Sequence, residues 1–414
     1  MNVTITPAPL RGTITPPPSK SQAHRLLIAA ALAEGESVIS NVALSQDIEA
    51  TLGCMRALGA QASAEGDTLT IRGIGSRRTS CGACMCGIPH LECGESGSTL
   101  RFLIPVALAV AGGGIFTGRG RLLARPQKPY ADLFASKGVF FAQESQAITA
   151  GGVLTAGEYP LPGDVSSQFV TGLLYALPLL EGDSDIVLTS PLESRGYVDM
   201  TLLALHSFGI DAQETASGYH IPGGQRYQPR SLAVEGDWSQ AGFWYAANGI
   251  GGRVELLGLD PASAQGDKVI ADYCGRLCRP GEVELDVSQC PDLVPPLAAH
   301  AALRGEGAVT RIVGAARLRI KESDRLSTVT QVLNAMGAQV EEHPDSLTIL
   351  GRSRLAGGVT VDSCNDHRIA MMAAIAATRC EKPVTITGAQ CVAKSYPNFW
   401  EDYEQLGGTI ARTE

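Results

Sequence analysis

The most informative feature of this chain is one recurring order of hydrophobic and polar positions. In each copy, a run with apolar residues three and four positions apart ends in a small residue and glycine, and two alternating segments follow. The glycine stands where helices commonly end in a left-handed conformation, and polar pieces such as "EGD" are typical of hairpin turns. We therefore predict a helix followed by a β-hairpin at 54–73, 133–152, 203–224 and 332–351.

Two further segments extend this pattern to about six units. A helix, a glycine and one strand are predicted at 403–410, and a degraded copy near 277–286 lacks its hairpin. The copies lie roughly 70 to 80 residues apart, which is far beyond the period of a solenoid. The pattern thus predicts an α/β protein of two similar domains, each built from three repeated helix–strand units.

Two segments are candidate crossings between these domains. The prolines at 16–18 are one, and the turn-rich, polar segment at 223–240 is the other, with a new helix starting near Asp237. We predict one domain from residues 1–18 plus 233–414 and the other from 19–232, joined by a double hinge.

Composition narrows the classes of function. The 414 residues are 44% hydrophobic and 18% charged, as in globular proteins, and a formal charge of −9 argues against a nucleic-acid or acidic-membrane binder. Residues 1–12 lack the apolar core of a secretory signal, and the longest apolar run is interrupted by proline and glycines. We expect a cytoplasmic protein with reduced thiols, and no membrane or nucleic-acid partner.

One cysteine-rich loop could in principle bind zinc. It contains Cys81, Cys84, Cys86, His90 and Cys93, spaced C-x2-C-x-C-x6-C. No second pair lies at the spacing of a zinc finger or ribbon, so ordinary loop thiols are the favoured interpretation and we predict no metal site.

The stretch "TPPPSKSQAHRLL" at 15–27 is the first candidate for chemistry. Proline and Ser19 favour a helix start, Lys20 lies in its first turn, and Ser21 and Arg25 share one face. The free N–H groups of a helix start, together with these side chains, suit a phosphate or a carboxylate. The alternative is an ordinary solvated helix start.

Six further segments again place cations, hydroxyls or carboxylates next to predicted helices or strand ends. Surface ion pairs or capping groups are the simpler explanation for each one. Their recurrence at equivalent ends of repeated units favours a shared cleft instead. These segments are 92–102, 163–169, 190–197, 317–326, 364–371 and 392–400.

In chain order, these segments resemble the 5-enolpyruvylshikimate-3-phosphate synthase family (3-phosphoshikimate 1-carboxyvinyltransferases). The motifs that carry the resemblance are "PPSKSQAHR", "GESGSTLR", "ARPQKPY", "VSSQF", "SRGYVDM", "PDLVPP", "KESDRL", "NDHR" and "AKSYPNFW". The resemblance implies two domains of threefold repetition, each like an inside-out α/β barrel, which close over the substrates. It also implies transfer of the enolpyruvyl group of phosphoenolpyruvate to the 5-hydroxyl of shikimate 3-phosphate, with release of phosphate, by a monomer without metal or organic cofactor.

The resemblance also implies roles for individual residues. Those expected to bind shikimate 3-phosphate are Lys20, Ser21, Arg25, Ser166, Ser167, Gln168, Ser194, Tyr197, Asp292 and Lys321. Those expected to bind phosphoenolpyruvate are Lys20, Gly97, Arg125, Gln168, Arg325, Arg368 and Lys394, with Arg101 and His367 in support. Arginine suits a planar carboxylate and lysine suits a phosphate, so an acidic protein can bind two anions through these local clusters.

Three residues are the candidates for catalysis. Glu322 would protonate the methylene carbon of phosphoenolpyruvate, and Asp292, aided by Lys20, would accept the proton of the attacking hydroxyl. The chain departs from the usual family pattern at Pro18, at Glu95-Ser96 and at Arg317, which bears on substrate affinity and leaves the reaction class intact.

Two alternatives remain, and only the second belongs to another class of function. One is the related enolpyruvyl transferase that acts on UDP-N-acetylglucosamine, but the reactive cysteine usual in that family is absent from 112–121. The other is a non-catalytic anion-binding protein, which the presence of both Asp292 and Glu322 disfavours.

Overall fold

The computed structural model describes residues 1–75 and 87–414, and these divide into two compact units. The terminal unit comprises Met1–Ser19 and Gly236–Glu414, and the central unit comprises Lys20–Glu235. The divisions predicted from the sequence lie after residues 18 and 232. That each unit is a domain of three repeats stays a prediction.

Helices of 7 to 15 residues make up much of the described part of the chain. They are α1 (Lys20–Leu32), α2 (Gln46–Ala57), α3 (Gly97–Ala111), α4 (Lys128–Ser136), α5 (Ser167–Ala176), α6 (Arg195–Ser207), α7 (Trp238–Gly249), α8 (Ile270–Leu277), α9 (Val294–Ala302), α10 (Arg325–Ala335), α11 (His367–Ala377) and α12 (Phe399–Gln405). Short 3₁₀ helices lie at Leu122–Ala124, Leu177–Leu179, Gly266–Val269, Pro291–Leu293, Ala316–Ile320 and Ala389–Lys394.

The strands are short and mostly follow helices. They are β1 (Asn2–Thr6), β2 (Arg11–Ile14), β3 (Glu36–Ser40), β4 (Gln61–Glu65), β5 (Thr68–Arg72), β6 (His90–Glu92), β7 (Gly113–Thr117), β8 (Phe140–Gln143), β9 (Ile148–Gly151), β10 (Gly157–Leu161), β11 (Ser184–Leu188), β12 (Gln213–Thr215), β13 (Gly218–Ile221), β14 (Ser231–Ala233), β15 (Arg253–Leu256), β16 (Glu282–Asp286), β17 (Val309–Val313), β18 (Gln339–Glu342), β19 (Leu347–Leu350), β20 (Leu355–Gly357), β21 (Thr360–Asp362), β22 (Cys380–Lys382), β23 (Val384–Thr387) and β24 (Thr409–Thr413). The α/β class is confirmed.

The described residues of the central unit form three four-stranded sheets with one topology. Their orders are β14-β3-β5-β4, β6-β7-β9-β8 and β10-β11-β13-β12. In each, the first two strands are parallel and the other two pairings are antiparallel. The last two strands of each sheet are the hairpin that the sequence pattern predicted, so those three predictions are confirmed.

The terminal unit repeats the same topology in two sheets, β16-β17-β19-β18 and β21-β23-β1-β24. In the second sheet the antiparallel pair joins the two ends of the chain, because β1 pairs with β24 from Asn2↔Thr413 to Thr6↔Thr409. Two further pairs, β15-β2 and β20-β22, are parallel and two-stranded. After α8 a single strand, β16, leads to α9, so the copy near 277–286 lacks a hairpin, as predicted.

The predicted glycines do end the helices. Gly59 has φ +109°, Gly138 +67°, Gly209 +77°, Gly337 +104° and Gly407 +86°. Side chains with a Cβ rarely adopt this region, so glycine terminates each helix and turns the chain into the following strand.

Each unit has its own apolar core. Helices α3, α5, α9 and α11 are buried along almost their whole length, as expected of segments that are apolar on every face. Helix α1 is likewise buried continuously, from Ala23 to Leu32. Its burial includes Arg25, so this cation is part of the packed interior rather than a solvated side chain.

The two predicted crossing segments pair with each other at the edge of the terminal unit. Pro18 and Gly236 form an isolated antiparallel bridge, and the Asp237 N–H donates to the Pro17 carbonyl at 2.9 Å. Asp237 caps α7, which begins where the sequence predicted a helix. Pro18 therefore lies in an extended, paired segment, where its ring occupies no helical position.

Candidate active site

In the central unit, the starts of α1 and α6 are joined by the Arg25 guanidinium. Its Nε donates to Thr201 Oγ1 at 2.9 Å, Nη1 to the Ser21 carbonyl at 2.6 Å and Nη2 to the Tyr197 carbonyl at 2.8 Å. The guanidinium also lies 5.2 Å from the centre of the Phe102 ring. Burial lowers the pKa of Arg25 to about 10, so it remains a cation at neutral pH.

Lys20, the first residue of α1, forms an ion pair with a residue that the sequence analysis did not assign. Its Nζ lies 2.8 Å from Asp47 Oδ2, at the start of α2, and both side chains are mostly buried. An acid in the first turn of α2 looks like an ordinary helix-dipole partner in the sequence, so nothing there indicated its pairing with Lys20.

The starts of α3 and α5 meet in the same unit. Arg101 Nη1 donates to Gln168 Oε1 at 2.8 Å, and Gln168 Nε2 donates to Ser98 Oγ at 3.0 Å. A Cβ on Gly97 would lie 2.7 Å from Arg125 Nη1, so only glycine lets the backbone approach this guanidinium so closely. Both arginines are buried.

Three serines lie at the helix starts where the motifs placed them. Ser166 caps α5 and accepts from the Gln168 N–H at 3.3 Å, and Ser167 is the buried first residue of that helix. Ser194 precedes α6 with φ 55°, an unusual backbone conformation for a residue other than glycine. We name the following residues the central cluster: Lys20, Ser21, Arg25, Gly97, Arg101, Arg125, Ser166, Ser167, Gln168, Ser194 and Tyr197.

In the terminal unit, Arg325 is the centre of a second group. Its Nε donates to Asp366 Oδ2 at 2.8 Å, Nη1 to Asp292 Oδ1 at 2.9 Å and Nη2 to Glu322 Oε2 at 2.6 Å. Arg325 is 1% exposed and Asp366 is fully buried. Asp366 also caps α11 by accepting from the Arg368 N–H at 3.0 Å, so one carboxylate ties α10 to α11.

Asp292, in the 3₁₀ helix before α9, is surrounded by cations. Arg368 Nη2 lies 3.3 Å from its Oδ2, and Lys321 Nζ lies 3.4 Å from its Oδ1. Burial favours the neutral acid, but Arg368, Lys321 and Arg325 outweigh it and hold the pKa of Asp292 well below its usual range. Asp292 is therefore ionised at neutral pH, the form that a general base requires.

Lys394 and His367 complete this group, which we name the terminal cluster: Asp292, Lys321, Glu322, Arg325, Asp366, His367, Arg368 and Lys394. Lys394 ends a 3₁₀ helix rather than the predicted strand, because β23 already ends at Thr387. Its Nζ donates to the Asn365 carbonyl at 2.7 Å, and the buried His367 Nδ1 lies 3.9 Å from Asp366 Oδ1.

Charge in the terminal cluster nearly balances before any ligand binds. Lys321, Arg325 and Arg368 face the three carboxylates of Asp292, Glu322 and Asp366. An anion that enters must therefore compete with protein carboxylates for these cations, which favours ligands of more than one negative charge.

The departures from the family pattern have local explanations. Ser96 caps α3 by accepting from the Thr99 N–H at 3.1 Å. The Glu95 carboxylate lies against Gly120, where a Cβ would be 2.8 Å from Oε2. Arg317 Nη2 donates to the Ser288 carbonyl.

Several residues in these clusters were missed by sequence reasoning. Asp47 and Ser239 contact predicted site residues, and Asp267 interacts electrostatically with Asp292 and Arg368. The only signal for these three residues would have been their position near helix starts. Among the residues the structure describes, no three His, Cys, Asp or Glu side chains group as metal ligands. Of the cysteine-rich loop, Cys81, Cys84 and Cys86 lie outside the described residues; His90 is exposed and Cys93 is buried.

Comparison with known proteins agrees over nearly the whole chain. The profile of the EPSP synthase (3-phosphoshikimate 1-carboxyvinyltransferase) family matches residues 5–403. The 3-phosphoshikimate 1-carboxyvinyltransferase of Clostridium kluyveri is 44% identical over 426 residues, which cover 99% of this chain and 98% of that protein. The enzyme of the same name from Clostridium perfringens (strain 13) is 44% identical over 428 residues, 99% of each chain.

A solved structure agrees as well. The EPSP synthase of Acinetobacter baumannii, at 25% identity, superposes with a TM-score of 0.79 and covers 99% of this chain and 100% of its own. None of the helices in the described part of this chain combines the length and apolar character needed to cross a bilayer. Because the family profile and these relatives span nearly the whole chain, it belongs to the EPSP synthase (3-phosphoshikimate 1-carboxyvinyltransferase) family of transferases.

Proposed function

We propose that this chain transfers the enolpyruvyl group of phosphoenolpyruvate to the 5-hydroxyl of shikimate 3-phosphate and releases phosphate. The observation that carries the proposal is the family match over residues 5–403, with relatives that share 44% of their residues over 99% of the chain. The buried cations of both clusters support it, because each substrate is a multiply charged anion.

The central cluster suits the phosphate of shikimate 3-phosphate. Ser21, Ser166, Ser167 and Ser194 lie in or next to the first turns of α1, α5 and α6, where backbone N–H groups lack partners within the helix. Lys20 adds a point charge that suits phosphate, Arg25 and Tyr197 join the starts of α1 and α6, and Gln168 follows the Ser166 cap of α5. We assign Asp292 and Lys321 to the hydroxyl groups of the same substrate.

The arginines suit phosphoenolpyruvate. Arg125 lies against the glycine backbone at Gly97, so a phosphate there could accept from both the guanidinium and backbone N–H groups. Arg325 and Arg368 present fork-shaped donors that match a planar carboxylate, and Lys394 adds a further positive charge. Lys20 and Gln168 complete this proposed set.

Acid–base roles follow from the terminal cluster. Asp292 is ionised, and a phosphoenolpyruvate that engages Arg325 and Arg368 would weaken two of the three contacts that depress its pKa. Asp292 would then become a stronger base toward the 5-hydroxyl, assisted by Lys20. The oxygen adds to C2 of phosphoenolpyruvate while Glu322 donates a proton to C3; loss of that proton with phosphate then restores the double bond.

Turnover measurements test both the reaction and the acid. Phosphate release from phosphoenolpyruvate is expected with shikimate 3-phosphate and not with UDP-N-acetylglucosamine. No release with shikimate 3-phosphate would overturn the proposed function. Glu322→Gln is expected to lower kcat about 10²- to 10⁴-fold.

A matched control separates the acid from a structural ion pair. Glu342 contacts Arg319 Nη1 at 2.8 Å, much as Glu322 contacts Arg325 at 2.6 Å. Glu342→Gln is expected to keep the kcat of the parent enzyme. Equal losses in both variants would remove Glu322 as the acid.

We further propose that the chain acts as a cytoplasmic monomer. The described cysteines are free thiols, including Cys54 and Cys93, whose Sγ atoms lie 4.0 Å apart. Light scattering coupled to size exclusion should return a mass near 43.3 kDa, and twice that mass would refute the monomer.

A further inference from the structure

Asp267 is a buried acid for which the proposed reaction has no role. It lies in the 3₁₀ helix Gly266–Val269, is 3% exposed and hydrogen-bonds the side chain of Ser239. The charged groups facing it are Asp292 and Asp237, which repel its charge, and Arg368, which attracts it. A buried carboxylate in such surroundings is costly, which calls for an explanation of its presence.

The geometry of Ser239 supplies that explanation. Arg368 Nη2 donates to Ser239 Oγ at 2.7 Å. A guanidinium has only donors, so the hydroxyl oxygen must accept there, and the single hydroxyl proton is left for Asp267. The hydrogen bonds thus run in one direction, from Arg368 through Ser239 to Asp267.

The other side of Arg368 is held by Asp292. Arg368 Nη1 donates to the Asp292 carbonyl at 3.0 Å, and Nη2 lies 3.3 Å from its carboxylate. The guanidinium is therefore fixed between Asp292 and Ser239. Without an acceptor at Asp267, the Ser239 hydroxyl would have no set orientation toward Arg368.

The segment that carries Asp267 is itself fastened to the start of α7, where Ser239 lies. Gln265 Oε1 accepts from the Trp238 N–H at 3.0 Å, and its Nε2 donates to the Gly236 carbonyl at 2.8 Å. Gln265 is buried, and its bonds fix the position of the Asp267 segment relative to Ser239.

We propose that Asp267 is a positioning residue for phosphoenolpyruvate, which orients the Arg368 guanidinium through the Ser239 hydroxyl. The inference rests on the proposed function, in which Arg368 binds the carboxylate of that substrate. A residue that acts in this way changes the affinity for phosphoenolpyruvate and leaves the affinity for shikimate 3-phosphate nearly unchanged.

A further consequence separates positioning from simple structural support. Burial, followed by repulsion from Asp292, raises the pKa of Asp267 to about 6. At neutral pH the charged form therefore opposes folding, and a neutral isostere should raise Tm. A residue kept for stability alone would lower Tm when replaced.

The experiment is a double-mutant cycle with Asp267→Ala, Ser239→Ala and the double variant, read as KM for each substrate. Each single variant is expected to raise KM for phosphoenolpyruvate about tenfold, the loss of one hydrogen bond to a charged group. KM for shikimate 3-phosphate should stay within about twofold. The double variant should have the same KM for phosphoenolpyruvate as each single variant, because both substitutions remove the same relay. A KM increase equal to the product of the two single increases would overturn the proposal.

Two further variants keep the test decisive. Asp267→Asn retains an acceptor, so it should recover most of the phosphoenolpyruvate affinity and raise Tm; an unchanged KM in Asp267→Ala would refute the relay. Asp402→Asn is the matched control, since this half-buried acid accepts from the Tyr396 hydroxyl at 2.6 Å. Turnover of the parent enzyme tests the proposed function. The ratios of KM for phosphoenolpyruvate between the variants and the parent enzyme test this inference.

Discussion

Breaking the buried ion pair between Arg325 and Asp366 should strongly destabilise the terminal unit. Asp366 accepts from Arg325 Nε at 2.8 Å, from Ser323 Oγ at 3.0 Å and from the Arg368 N–H at 3.0 Å. Asp366→Asn removes its charge and retains an oxygen acceptor for the α11 cap. Asp366→Ala removes both.

The magnitude follows from these contacts. Removing one partner of a buried pair costs about 3–5 kcal/mol, because the other charge stays buried. Arg325 would keep Asp292 and Glu322 as partners, which places Asp366→Asn near 3 kcal/mol. Loss of the helix cap adds about 1 kcal/mol, so Asp366→Ala should lose about 4 kcal/mol.

The tryptophans provide a specific assay. All 3 of them, Trp238, Trp244 and Trp400, belong to the terminal unit, so tryptophan fluorescence during urea unfolding reports on that unit. The free energies of unfolding of the variants and the parent chain are compared where the slope of free energy against urea concentration is the same for both.

A matched control comes from α10. Asp324 caps that helix and lies 3.0 Å from Arg319 Nη1, but both side chains are about one-third exposed, at 35% and 31%. Asp324→Asn should therefore cost less than about 1 kcal/mol. If Asp366→Asn cost no more than Asp324→Asn, the argument from burial would be refuted.

Three further predictions concern packing, substrate affinity and pH. Gly172→Ala would place a Cβ 2.3 Å from Tyr130 Oη, so it should cost about 1–3 kcal/mol in thermal unfolding, whereas Gly53→Ala, with open space around it, should cost nothing. Arg25→Lys keeps the charge and loses the forked contacts to α6, so KM for shikimate 3-phosphate should rise several-fold more than KM for phosphoenolpyruvate; equal rises would contradict it. Because the folded-state pKa of Asp267 is about 6 against a usual 3.8, the folded protein binds the extra proton. The contribution of Asp267 to the free energy of unfolding should therefore fall by up to about 3 kcal/mol as pH rises from about 4 to 6 and then level off. Urea titrations should show this fall in the difference between the parent chain and Asp267→Asn, which cancels the opposite effect of acids with a lowered pKa such as Asp292.

Local pattern was sufficient for much of the fold. The helix, glycine and hairpin of each copy depend on residues close in sequence, so periodicity and φ-permissive glycines such as Gly59 and Gly337 located them. The pairing of β1 with β23 and β24 joins segments about as far apart in the chain as possible. No local pattern carries that information.

The candidate site, too, could be predicted only in part from the sequence. The sequence placed Lys20 and Arg368 at helix starts, and the structure has Lys20 as the first residue of α1 and Arg368 as the second residue of α11. The burial of Arg25 was not predicted, because a cation next to an apolar run does not reveal which other helices will cover it.

What the sequence alone determined is the set of chemical groups: which residues cap helices, which segments carry cations, and which acids accompany them. What only the tertiary structure decided is how those groups pair. Arg325 meets Asp366 across 41 positions, and Arg368 meets Ser239 across 129. Such pairings arise from packed helices that exclude water, and the resulting burial determines whether a carboxylate is held ionised, as at Asp292, or driven toward its neutral form, as at Asp267.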